Sequence, residues 1–135
     1  ETVAMALRAK DLGMKVMIDF HYSDTWADPA NQTKPAAWAN CTFAALKDSV
    51  YQHTYDVLNA LKSAGITPEW VQIGNEIPSG MLWPEGSYTN FGQLAALVNK
   101  GFDATNSKNL KFENADHTEN SWNKRLEIPL QFLFK

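Results

Sequence analysis

The sequence predicts an α/β fold, part of a (β/α)8 TIM barrel, on three observations. Segments of helical periodicity alternate with short apolar runs, the pattern of parallel strands joined by helical crossovers. The two clearest runs, residues 15–20 and 70–74, gather polar residues at the carboxyl end of one face only. The Gly-rich phosphate loop that usually marks a doubly wound sheet is missing. A barrel accounts for the second observation, because one strand face packs on helices while the other points into a lumen whose mouth holds the chemistry.

The elements follow in order. The first helix runs to Leu12, with Val3, Ala6 and Leu7 on one face and Gly13 placed to end it in a left-handed conformation. Residues 15–20 are short and mostly apolar, and read as a buried strand. Val16, Ile18 and Phe20 form one face; Met17, Asp19 and His21 form the other. A long polar loop covers 23–35. The second helix spans 39–64 and buries Phe43, Leu46, Val50, Val57 and Leu61, with Gly65 at its stop. In the second strand, Val71 and Ile73 oppose Gln72, Gly74 and Glu76. After a loop rich in Pro and Gly, the third helix spans 90–104 and buries Phe91, Leu94, Val98 and Phe102. A weaker strand starts at Leu110. Residues 1–135 are therefore expected to form one partial barrel domain, with 109–135 a divergent or truncated tail of it.

Composition narrows the function. The net charge of −3, with no basic block, argues against nucleic acid and anionic membrane surfaces as partners. No apolar run approaches the roughly 20 residues that span a bilayer. The chain opens at Glu1 with no signal-peptide pattern. Cys41 is the single cysteine, so no internal disulfide is expected. Five tryptophans are many for this length; core packing accounts for two or three, but Trp26 and Trp83 sit in loops as platforms for apolar sugar faces.

The segment Trp70-Val71-Gln72-Ile73-Gly74-Asn75-Glu76 carries the chemistry most directly. A carboxyl group at the end of a buried strand sits partly desolvated at a barrel mouth, the environment a general acid requires. Asn75 beside it is placed to hydrogen-bond a sugar hydroxyl. The loop 78–86 then supplies Trp83 and Glu85. A second cluster, His21-Tyr22-Ser23-Asp24, leads into Trp26 and Asp28. It reads as a hydrogen-bonding shell around a substrate. Asp19, His21, Asp24 and Asp28 as metal ligands form an alternative, although His53 falls within a helix and His117 lies far along the chain. Phosphate-binding loops and a Gly-x-Ser-x-Gly elbow are absent.

The run from Gly13 through His21-Tyr22-Ser23-Asp24-Thr25-Trp26 to Pro29 resembles the third-strand region of glycoside hydrolase family 53, the arabinogalactan endo-β-1,4-galactanases. Residues 70–76 and 80–86 resemble the fourth strand and its following loop, and the resemblance covers about residues 1–105. It implies strands three to five of a (β/α)8 barrel that cleaves β-1,4-galactan side chains of pectin internally and with retention. It implies Glu76 as acid/base, Asn75 as the neighbour contacting the 2-hydroxyl, and His21, Tyr22, Asp24, Trp26 and Trp83 as substrate-binding positions. It implies a secreted or cell-surface enzyme with a polysaccharide partner, and neither cofactor nor metal. A retaining mechanism needs a second carboxylate about 5 to 5.5 Å from the first. The family carries it on the seventh strand, so the nucleophile is assigned to no residue here and the chain by itself is expected to be inactive. Two other readings stay open: a non-catalytic carbohydrate-binding remnant, and a metal-dependent barrel hydrolase using Asp19 and His21.

Overall fold

Two short parallel strands organise the molecule, a computed structural model describing residues 1–110. β1 (Met17–Phe20) pairs with β2 (Trp70–Ile73), Met17 opposite Trp70 and Phe20 opposite Ile73. The ladder is extended at both ends, where Glu69 N–H donates to Val16 O at 2.8 Å and Gly74 N–H to Phe20 O at 3.0 Å. Three helices accompany the strands: α1 (Thr2–Asp11), α2 (Phe43–Ser63) and α3 (Phe91–Thr105). The order α-β-α-β-α is the expected alternation. The expected strand from Leu110 lies almost wholly outside the described residues, as does the tail; Lys108–Leu110 itself is a short 3-10 turn.

Strand faces divide as anticipated. Ile18 and Phe20 are buried, while Met17 is exposed and Asp19 and His21 lie at intermediate depth. The core joins Ile18, Phe20 and Tyr22 to Leu46, Val50, Leu58 and Leu61 of α2 and to Leu94 and Leu97 of α3. Gly13 and Gly65 both take positive φ, 71° and 72°, directly after the helices they end.

Three helical expectations are corrected. α2 begins at Phe43 rather than 39, because the Thr42 side chain accepts a hydrogen bond from Ala45 N–H and caps the helix there. In α1, Leu7 is exposed and Ala6 makes the contact. In α3, the buried stripe is Leu94, Leu97, Gly101 and Ala104, whereas Phe91 is 73% and Phe102 40% exposed. Close approach is the reason. A Cβ at Gly101 would stand 2.5 Å from Ile73 Cγ2 and 3.0 Å from the Tyr22 hydroxyl. The helix rests its small residues on β2, and the bulky phenylalanines are turned aside.

Candidate active site

Both strands end by turning sharply. Tyr22, Glu76 and Leu82 have φ of 51°, 46° and 54°, and they are the non-glycine residues with positive φ among those described. Each such residue costs about 1–3 kcal/mol and persists where its surroundings over-determine it. The first two stand just past β1 and β2, and the third immediately precedes Trp83.

A closed ring of polar contacts links the two strand ends. Gln72 Nε2 donates to Asp19 Oδ1 at 3.1 Å and lies 3.5 Å from Asn75 Oδ1. Asn75 Nδ2 donates to Ala27 O at 2.7 Å, and Ala27 N–H donates to His21 Nδ1 at 3.3 Å. Because Nδ1 accepts, the His21 ring proton sits on Nε2, which faces Asp19 Oδ2 at 3.6 Å. The side chain of Asn75 is thus oriented from two sides, with a second amide N–H left to give. Neither Gln72 as its holder nor the fully buried Ala27 was legible as a site residue. The alternation that puts Gln72 on the polar face of β2 was the one available signal.

Glu76 is exposed, and its carboxylate makes no hydrogen bond or ion pair among the described residues. The partial desolvation expected at a barrel mouth is therefore not supplied by this part of the chain. The backbone beneath it is held firmly. The Gln32 amide, 1% exposed, donates to Asn75 O at 2.9 Å and to Glu76 O at 3.3 Å. Gln32 was missed in the sequence because a glutamine in a polar loop carries no signal of burial.

The remaining expected residues divide. Trp26 is 74% exposed and meets the His21 ring edge to face, centroids 4.9 Å apart. Trp83 is half-buried; its indole N–H donates to Ser79 O at 3.0 Å and its backbone N–H to Gln32 O at 2.8 Å. Tyr22, expected to contact substrate, turns inward instead. Its ring is 4% exposed, stacks on Phe20, and its hydroxyl lies 2.7 Å from Thr54 Oγ1. Alternation carried two residues past Phe20 puts Tyr22 on the face of Ile18 and Phe20, so its side chain continues the buried face of β1 into the core. Asp24 Oδ2 accepts Ala36 N–H at 2.7 Å, and Asp28 Oδ1 accepts Ala30 N–H at 2.7 Å, so both carboxylates brace the loop. Asp19 and His21 stand side by side, Asp24 and Asp28 do not join them, and no group of three His, Cys, Asp or Glu side chains that could hold a metal ion occurs among the described residues.

Lys34 and Glu85 clamp this loop to the one after β2, with Nζ and Oε1 2.8 Å apart. Burial alone would push the Glu85 carboxyl up, but the hydrogen bond and charge of Lys34 hold it below the usual carboxylate range. A cleft beside β1 is lined by Asp19, His21, Asp24 and Trp38, and Glu76, past the end of β2, is not part of its lining.

A sequence model of glycosyl hydrolase family 53 matches residues 1–132, further along the chain than the motifs at 13–29 and 70–86 reach. An arabinogalactan endo-β-1,4-galactanase of Thermothelomyces thermophilus is 44% identical over 122 residues, 89% of this chain and 36% of that protein. Another from Humicola insolens is 41% identical over 123 residues, 90% of this chain and 37% of that protein. Among solved structures, an Ignisphaera aggregans GH53 catalytic domain aligns with a TM-score of 0.75 at 45% identity, over 78% of this chain and 29% of that one. A chain from a study of two fungal β-1,4-galactanases aligns with a TM-score of 0.77 at 45% identity, over 82% of this chain and 33% of that one. The chain spans about a third of the length of the curated relatives it matches.

Proposed function

The chain belongs to glycosyl hydrolase family 53, and from that premise we propose that it carries the acid/base half of an endo-acting, retaining β-1,4-galactanase. In this reading β1 and β2 are the third and fourth strands of a (β/α)8 barrel, and residues 109–135 continue the same domain. Glu76 protonates the leaving glycosidic oxygen and later takes a proton from the attacking water. The nucleophile belongs to no residue of this chain. Asn75, held by Gln72 and Ala27, turns its second amide proton to the sugar 2-hydroxyl. His21, Asp24, Trp26 and Trp83 shape the cleft around a polysaccharide, and Tyr22 supports the strand end from within. A secreted or cell-surface location fits a polymeric substrate, and no helix of the described residues is long and apolar enough to cross a membrane.

One observation supports this reading above the others. A carboxylate with no partner among the described residues stands on a rigidly bonded left-handed turn at the carboxyl end of β2, beside an asparagine already fixed in place. A binding remnant needs no such carboxylate. The test is Glu76→Gln in the full-length enzyme carrying this segment. Cleavage of galactan is expected to fall by about 10²- to 10⁴-fold. The kcat/KM for an activated nitrophenyl galactoside, whose leaving group departs unprotonated, is expected to change far less. Equal loss on both substrates would remove Glu76 from the acid/base role.

A further inference from the structure

Gln32 is a buried amide in the polar loop after β1, and both its donors have a destination. A buried primary amide is costly unless its N–H groups are bonded. Here Nε2 reaches the carbonyl oxygens of Asn75, at 2.9 Å, and of Glu76, at 3.3 Å. The first carbonyl belongs to the peptide before the Glu76 Cα and the second to the peptide after it. In extended backbone, successive carbonyls point in opposite directions and no single amide could hold both. In a helical turn of either hand they point the same way, and Glu76 has φ 46° and ψ 55°. The two bonds therefore exclude an extended backbone at Glu76 and are met by the left-handed turn observed there. The Gln32 backbone is itself pinned, its carbonyl accepting the Trp83 N–H at 2.8 Å, and Lys34 two residues on is paired with Glu85.

We propose that Gln32 is a positioning residue for catalysis, its side-chain amide locking the backbone of Glu76 so that the carboxylate is aimed at the scissile oxygen. This rests on the acid/base reading of Glu76. Gln32 touches no substrate; it acts through the two carbonyls, and its loss misaims the proton donor without removing it. A misplacement of about 1 Å at a reacting group costs on the order of 10²-fold.

The test uses the full-length enzyme carrying this segment, with Gln32→Met, which keeps much of the volume and removes both donors. The expected result is a fall of about 10- to 100-fold in kcat/KM on galactan, with little change on an activated nitrophenyl galactoside and a cooperative melt retained. A merely structural role would lower both substrates together, and that result, or native activity on both, overturns the proposal. Should Gln32→Met fail to fold, Gln32→Glu decides. Its carboxyl regains one donor only when protonated, so activity relative to the native enzyme should rise as pH falls, and a flat ratio overturns the proposal. Glu76→Gln is measured beside them. If it lacks the substrate-selective loss, the acid/base reading has failed and takes this proposal with it. If it shows that loss and the Gln32 variants do not, the positioning role alone has failed.

Discussion

Tyr22 holds a phenol where water scarcely reaches, and its bonding fixes which way the proton points. Thr54 gives its single hydroxyl proton to Val50 O at 2.7 Å, so Tyr22 is the donor in the 2.7 Å contact between the two hydroxyls. Burial pushes the Tyr22 phenol up. An unfolded tyrosine ionises near pH 10, whereas the folded one stays protonated beyond that. The stability contributed by this group is therefore complete below about pH 10 and is lost as pH rises through and above it. At neutral pH, Tyr22→Phe is expected to cost about 1 kcal/mol, the net worth of one hydrogen bond. Melting temperatures between neutral and alkaline pH should show the gap between native protein and variant narrowing above about pH 10. A gap that stays constant would mean the phenol is not kept from water. Tyr22 was legible as a core residue from alternation, which puts it with Ile18 and Phe20, but the polar motif around it, His21 to Asp24, pointed to substrate instead.

At the scale of elements, the site is two loops held together. The loop after β1 sends Ala27, Gln32 and Lys34 against the loop after β2, where Asn75, Glu76, Trp83 and Glu85 receive them. Lys34 is 9% exposed and Glu85 23%, so the pair is shielded but not sealed. Breaking a fully buried pair costs about 3–5 kcal/mol; partial exposure here brings the expected cost of Glu85→Gln to about 2 kcal/mol. The folded Glu85 carboxyl lies below its usual value through Lys34, against the opposing effect of burial. Its contribution is present above the unfolded value of about 4.3 and disappears as pH falls through the lower folded one. Native and Glu85→Gln proteins should thus differ in melting temperature at neutral pH and converge in acid. A difference that does not narrow as pH falls below the unfolded value would contradict an ionic clamp. The helix that backs these loops was legible in extent but not in rotation. Sequence periodicity favoured Phe91 and Phe102, and only the proximity of Ile73 to Gly101 shows why the smaller face must be the buried one.

Taken whole, the described residues place two parallel strands in a sheet that packs on helices and has no further partner strand at either edge among them. Met17 and Trp70, paired across the ladder, are 54% and 47% exposed, and the outer edge of β1 is open. Unpaired edges and exposed apolar side chains of this kind favour association. Residues 1–135 expressed alone are expected to self-associate and to release no reducing ends from galactan. Sedimentation together with a reducing-end assay checks both, and a folded monomer that turns over galactan would overturn the expectation.

Spacing along the chain is enough to give the alternation of helix and strand, the apolar face of each strand, and the placing of Asn75 and Glu76 at a strand end. Those features repeat locally or sit in a contiguous motif, so they are readable from spacing. The family is legible there too, since the segments 13–29 and 70–86 are specific enough to identify it, and a match over 1–132 agrees. Only the folded chain shows which way α3 turns, that the Tyr22 hydroxyl is bonded to Thr54, and that Gln32 and Ala27 hold the strand ends. Each of these depends on residues distant in sequence: Gly101 meeting Ile73, Tyr22 meeting Thr54, Gln32 meeting the Asn75 and Glu76 carbonyls. Hydrogen bonds and close contacts of that kind leave no periodic trace along a chain, because they are satisfied only when the fold brings their partners together.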